Sequence, residues 1–206
     1  MSVVEHVEVL VEEPSMEAVL QVLLPRLLGQ ISFQVYPHSC KEELLARLPE
    51  RWRGYRQWLP ENWKIAVVVD RDDDDCRELK ERLNQMADQA GLLTRSTRRD
   101  HDYVVIHRLA IEELEAWYFG DWEAVRAAYP RVSKNIPRKE SYRNPDAIRG
   151  GTWEAFERIL QRAGYFIGGL RKIEAARQIA PHLDPERNIS KSFQVFRDAL
   201  REVTKL

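Results

Sequence analysis

Short, densely apolar runs alternate with longer amphipathic stretches along the first half of the chain. Val7–Val11 (VEVLV) is β-branched and ends at Glu12, which predicts a strand. Ser15 then stands as the N-cap of a helix over Met16–Leu28, whose Val19, Leu23 and Leu27 share one face. Ile31–Tyr36 (ISFQVY) alternates like a half-buried strand and is closed by Pro37. A stretch rich in Arg and Trp, helical or irregular, runs on to Pro60. Ile65–Val69 (IAVVV) is continuously apolar, as in a strand covered on both faces at the centre of a parallel sheet, and it ends in Asp70. Asp73–Asp75 open a helix to about Ala90, because anionic side chains suit the unpaired N–H groups of a first turn, and Gly91 stops it. Tyr103–His107 (YVVIH) predicts a fourth strand, followed by helical stretches at Ile111–Phe119 and Asp121–Ala128.

Beyond Pro130 the pattern changes. Arg131–Gly151 is basic and interrupted by Pro137 and Pro145, which predicts a surface loop or mobile segment. The remainder reads as helices at Trp153–Gln161, Leu170–Ile179 and Ser192–Val203. The order predicts an α/β fold, with a parallel sheet sandwiched by helices over residues 1–129. A basic loop and helical C-terminal extension, 130–206, should pack on that core as one compact unit.

Composition narrows the class. With 44% hydrophobic and 32% charged residues and a mean hydropathy of −0.51, the chain reads as an ordinary globular protein. No apolar run reaches the roughly 18–20 residues of a membrane span, and the N-terminus lacks a signal-like pattern, so a cytoplasmic location is expected. Cys40 and Cys76 form no CxxC pair, which argues against a disulfide framework or a structural zinc site. The formal net charge is −1, so any contact with nucleic acid must come from local patches.

Candidate chemistry lies at the ends of the predicted strands. Glu12 ends the first, Asp70 and Asp72 end the buried one, and Glu112, Glu113 and Glu115 follow the next. Ligands of open α/β sheets bind outside the carboxyl ends of strands, so the first two groups can converge. Residues two apart on an extended segment project the same way, so Asp70 and Asp72 can face one ion. Hard oxygen ligands favour Mg²⁺ or Mn²⁺. For Asp73, Asp74 and Asp75 the simpler reading is a helix cap and a solvated face.

VLVEEPSMEAVL resembles the first acidic motif of Toprim domains, VVVDRDDDD resembles their Asp-x-Asp motif, and LAIEELEAWYFGD resembles the Glu-Ala-Trp region of the DUF4276 family, Toprim-like bacterial proteins related to OLD-type nucleases and RloB-type proteins. The resemblance runs through most of the chain. It implies a Toprim-like fold, with Glu12 at the Toprim glutamate, Asp70 and Asp72 at the metal pair, Glu115 and Trp117 at the Glu-x-Trp position, and Glu17 at a second acidic position. The sequence departs from the pattern at Glu13, where Gly is usual. A non-glycine residue there makes φ > 0 and close approach of a phosphate harder.

The implied activity is Mg²⁺-dependent or Mn²⁺-dependent hydrolysis of nucleic-acid phosphodiesters. Glu12, Asp70, Asp72 and Glu17 would hold metal, and Glu115 or Glu17 would serve as base or second metal ligand. Arg95, Arg98, Arg99 and His101 form one basic patch, while Arg131, Lys134, Arg138, Lys139, Arg143 and Arg149 around Tyr142 form a second, suited to a nucleic-acid backbone, DNA before RNA. Either loop can equally be solvated surface. The resemblance also implies an AAA or ABC-type ATPase partner in phage defence; the chain has no GxxxxGK[ST] of its own. Two other readings compete: a non-catalytic Toprim-like binding or regulatory subunit, and a phosphohydrolase acting on nucleotides. Trp117 is expected in the core, Lys172 and Ser192–Phe193 match weaker family features but are expected in core or surface roles, and no His is expected in catalysis.

Overall fold

The computed structural model describes residues 3–72, 74–96, 103–110 and 113–203. Four strands, β1 (His6–Val11), β2 (Ser32–Pro37), β3 (Trp63–Asp70) and β4 (Val105–Ala110), form one sheet in the order β2-β1-β3-β4. Every pairing is parallel, with Val11 opposite Val68 and Asp70 opposite Ala110. The chain steps outward from β1 to β2, then returns past β1 to β3. The carboxyl ends of β1 and β3 therefore bound the switch point of the sheet, where α/β folds place ligands.

Eight α-helices accompany the described strands: α1 (Pro14–Leu28), α2 (Lys41–Trp58), α3 (Cys76–Gln89), α4 (Glu115–Gly120), α5 (Trp122–Ala128), α6 (Thr152–Arg162), α7 (Lys172–Ile179) and α8 (Lys191–Val203). Side chains alternate across β3 and sort the core into two layers. Ile65, Val67 and Val69 face Leu44, Leu48 and Trp52 of α2 and Leu79 and Leu83 of α3. Ala66 and Val68 face α1, and the same apolar cluster continues without a break into α4–α8. At about 25 cal/mol per Å² of apolar surface removed from water, this continuous layer dominates the folding free energy. The sheet is thus sandwiched by helices and carries a helical C-terminal extension, as the sequence pattern predicts.

Several element ends differ from expectation for local reasons. Helix α1 begins at Pro14 with Glu13 as N-cap, because a proline at the first helical position loses no needed N–H; Ser15 lies inside the helix. Asp75, the last of the acidic run, caps α3 by accepting from the Arg77 and Glu78 N–H groups at 2.8 and 3.1 Å. The fourth strand begins later and runs further than its apolar run, through Arg108 to Ala110.

The 131–151 segment is organised as three short 3-10 turns, Ile136–Arg138, Glu140–Tyr142 and Pro145–Ala147. It is tied down by Asp146, whose carboxylate accepts from Ser190 Oγ and from the Lys191 and Ser192 N–H groups at the start of α8. The Asn188–Ser190 turn approaches Gly120 so closely that a Cβ there would overlap Asn188 Oδ1 and the Ser190 backbone. Among the described residues, no helix is long and apolar enough to cross a membrane.

Candidate metal centre

The carboxyl ends of β1 and β3 bring Glu12 and Asp70 together. Glu12 Oε2 accepts from the Asp70 N–H at 3.0 Å, so the strand that delivers one carboxylate also holds the other. Asp70 follows Ala66 and Val68 in alternation and points toward the α1 side. There it is 4% exposed, and its Oδ1 has no hydrogen-bond partner. Glu115, in the first turn of α4, is 1% exposed, and its Oε2 is likewise unpartnered. Buried carboxylate oxygens without partners are costly in a folded protein, and a cation is the ligand that relieves them.

Burial pushes the carboxyls of Glu12 and Glu115 up to about 7. For Glu12 the Asp70 N–H and Lys41 oppose the rise while Asp72 and Glu13 add to it; for Glu115 the ammonium of Lys172 opposes it. Burial raises Asp70 well above the ordinary carboxylate range, with repulsion from Glu12, Glu13 and Glu115 in the same direction. Three acids raised together at one strand-end crevice form a charge-frustrated site, the pattern associated with function.

The site has two lobes. On the α1 side, Asp70, Glu115, Glu13 and Glu113 surround Lys172 at the start of α7, whose Nζ lies 3.6 Å from Glu13 Oε2. Burial works to lower the Lys172 pKa, but these carboxylates outweigh it and hold the ammonium charged. On the α2 side, Lys41 binds Asp72 at 2.5 Å and Asp74 at 2.8 Å and donates to the Arg71 carbonyl at 3.2 Å. Glu12 and Asp70 stand at the junction.

The alternation argument for Asp72 does not hold. β3 ends at Asp70, and Asp72 adopts φ +49, a left-handed turn that Asp tolerates better than most residues, so its carboxylate turns onto Lys41. Glu17 sits half-buried in the first turn of α1. Among the described residues, no three His, Cys, Asp or Glu side chains stand close enough together to hold a metal ion by themselves. The donor set still fits Mg²⁺ or Mn²⁺, which typically take one or two carboxylates and complete their shell with water and substrate phosphate oxygens.

Glu13 proves compatible with the loop. Its φ of −142° and ψ of 158° are ordinary extended backbone, so the position does not need glycine's left-handed freedom, and its carboxylate joins the site instead. Lys172 was expected in a core or surface role; the structure places it among the acids. A match to a weaker family feature is the sign its sequence context carries. Glu113 and Lys41 also belong to the surroundings, Glu113 by accepting from the Trp153 N–H at 2.9 Å.

Trp117 packs in the core as its apolar spacing predicts, stacked on Phe196 at 5.1 Å. Arg98, Arg99, His101 and Glu112 lie outside the described residues. Lys134, Arg138, Lys139 and Arg143 are exposed, and Tyr142 is half-buried with its ring stacked on Phe119 at 5.4 Å.

Family comparison bears on these motifs as a set. The model of a family described as "Domain of unknown function (DUF4276)" matches residues 11–201. The chain belongs to the DUF4276 family. No curated protein and no solved structure matches it. The matched span begins at the last residue of β1 and so takes in Glu12, Asp70, Glu115 and Lys172.

In this DUF4276 protein, Lys172→Met is expected to lower stability by about 1–3 kcal/mol in urea denaturation at neutral pH, since it leaves buried carboxylates without their counter-charge. An unchanged midpoint would mean that the ammonium does not compensate these acids.

Proposed function

We propose that this protein is a Mg²⁺-dependent or Mn²⁺-dependent Toprim-type nuclease that hydrolyses nucleic-acid phosphodiesters. The observation that carries the reading is the pair of buried, unpartnered carboxylate oxygens, Asp70 Oδ1 and Glu115 Oε2, beside Glu12 at the switch point of a parallel sheet. Glu12 and Asp70 act as the protein ligands, with Glu12 held by the N–H of Asp70 at the end of β3. A Mg²⁺ or Mn²⁺ ion held there would supply Lewis acidity toward the phosphate and acidify the attacking water. Glu115, raised to about 7, is poised to exchange a proton near neutral pH and takes the role of general base. Lys172 holds Glu13 in place and sets the local charge so that a phosphate can approach the acids. The resemblance further supports a cytoplasmic effector of phage defence working with an AAA or ABC-type ATPase.

Purified protein incubated with single-stranded and duplex DNA and RNA in Mg²⁺ or Mn²⁺ should cut at least one substrate, and EDTA should stop it. Asp70→Ala is expected to reduce cleavage by at least about 10³-fold. Metal-dependent cleavage that survives the substitution would remove Asp70 from the site.

The Glu13–Lys172 ion pair inside the acidic lobe favours a second reading, a Toprim-like binding or regulatory subunit whose site is held by its own lysine. Failure to cut any substrate, alone or with the product of a neighbouring gene, selects that reading.

A further inference from the structure

Positive charge collects on α6 and the segment before it. Arg158 and Arg162 are both exposed and stand one helical turn apart, about 6 Å along the axis. A cleft of about 660 Å³ opens where Arg158 meets the 140–149 segment, which contributes Ser141, Asn144 and Arg149. One turn further on, a cleft of about 220 Å³ opens where Arg162 meets Arg131 and Lys139. Tyr142 lines both clefts. Its ring is fixed by stacking on Phe119, with the planes 12° apart. Arg131 is fixed as well, by a 2.9 Å bond to the Gly164 carbonyl and by lying 4.2 Å from the Tyr165 ring centroid.

Five cations and one acid, Glu140, line these two clefts on a chain whose net charge is −1. Such segregation on a near-neutral protein attracts a polyanion locally. We infer that the clefts bind single-stranded nucleic acid, with phosphates on Arg149, Arg158 and Arg162 and an unstacked base beside Tyr142. A duplex keeps its bases inside the stack, so it offers no base face to Tyr142. Cations alternating with an aromatic ring, a hydroxyl and an amide match the backbone, face and edges of an unpaired nucleotide.

The clefts adjoin the acidic site through α6. Trp153 in its first turn donates to Glu113, and its ring lies 5.7 Å from Lys172 Nζ. Arg158 follows five residues later, about 140° around a helix some 10–12 Å across. A strand held in the clefts therefore reaches the carboxylates by passing the N-terminal end of α6. This deepens the nuclease reading by naming a single-stranded substrate, but the binding itself does not depend on cleavage.

The test is fluorescence anisotropy in EDTA at about 0.1 M salt, with a labelled single strand of about 15 nucleotides and the duplex of the same sequence. The wild-type protein should bind the single strand at least ~10-fold more tightly than the duplex. Arg158→Glu with Arg162→Glu should weaken that binding at least ~10-fold, and Arg158→Gln with Arg162→Gln should reduce the salt slope by about 1.4. Circular dichroism confirms that both variants fold. Equal or tighter duplex binding, wild-type affinity in the folded charge variants, or equal competition by polyglutamate would overturn the inference. Binding without any cleavage counts against the nuclease reading alone; cleavage with binding untouched by the charge variants counts against the clefts alone.

Discussion

In EDTA at pH 8, Asp70→Asn is expected to melt about 4–8 °C above the wild-type protein. Asp70 is buried beside Glu12, Glu13 and Glu115, and one of its oxygens has no partner. At pH 8 the folded wild-type protein must either bury that charge or hold a proton that the unfolded chain has released. The amide avoids both, for a gain of about 2 kcal/mol, and each kcal/mol shifts the midpoint of a chain this size by about 2–4 °C. A carboxylate with a structural role gives the opposite sign. Differential scanning calorimetry decides, and a fall of similar size would show that Asp70 stabilises the metal-free fold.

The second large effect is a loss of stability with rising pH that divalent metal reverses. Glu115 has an ordinary value of 4.5 and is raised by burial to about 7. Below pH 4.5 both folded and unfolded states hold its proton, so it makes no difference. Between pH 4.5 and about 7 the folded state binds more protons than the unfolded, so stability falls as pH rises and stays low above that window. At 1.36 kcal/mol per pH unit the span is about 3 kcal/mol for this fully buried group. Glu12 and Asp70 act in the same direction. Lys172, raised above its ordinary 10.5, stays charged throughout the window and does not offset the trend. Mn²⁺ binds the ionised carboxylates, so at about a hundred times its dissociation constant it should restore about 2.7 kcal/mol at pH 8 and far less at pH 5. Urea titrations across this range check the slope. Buried His107, lowered to about 3, works the other way below its ordinary 6.5, so the readout is the wild type minus Glu115→Gln difference, and no fall of that difference from pH 5 to 8 without metal would contradict the shift at Glu115.

The strands and their parallel sheet were legible because β-branched runs such as IAVVV have few alternatives, and the strand-end position of Glu12 and Asp70 followed from them. The projection of Asp72 was not legible, since the alternation rule holds only while the backbone stays extended, and φ turns positive at that residue. Lys172 was hidden for a different reason. It stands 160 residues from Glu12 in the sequence, and only the packing of α7 on α1 carries it to the acids. Glu13 read as a defect when judged by the usual glycine of the motif, yet its extended backbone shows that the turn here needs none. The basic stripe on α6 escaped notice because Arg158 and Arg162 sit in an amphipathic pattern that reads simply as a solvated helix face, and the clefts beside them depend on how the 131–151 segment folds back.

The central claim is that the carboxylates at the ends of β1 and β3 hold a divalent cation. Isothermal titration of the metal-free protein with Mn²⁺ at pH 8, wild type against Asp70→Asn, tests it without reference to any substrate. The account predicts saturable binding to the wild type, with proton release, and its loss in Asp70→Asn. Saturable binding of equal affinity in both proteins, or none in the wild type, would contradict it.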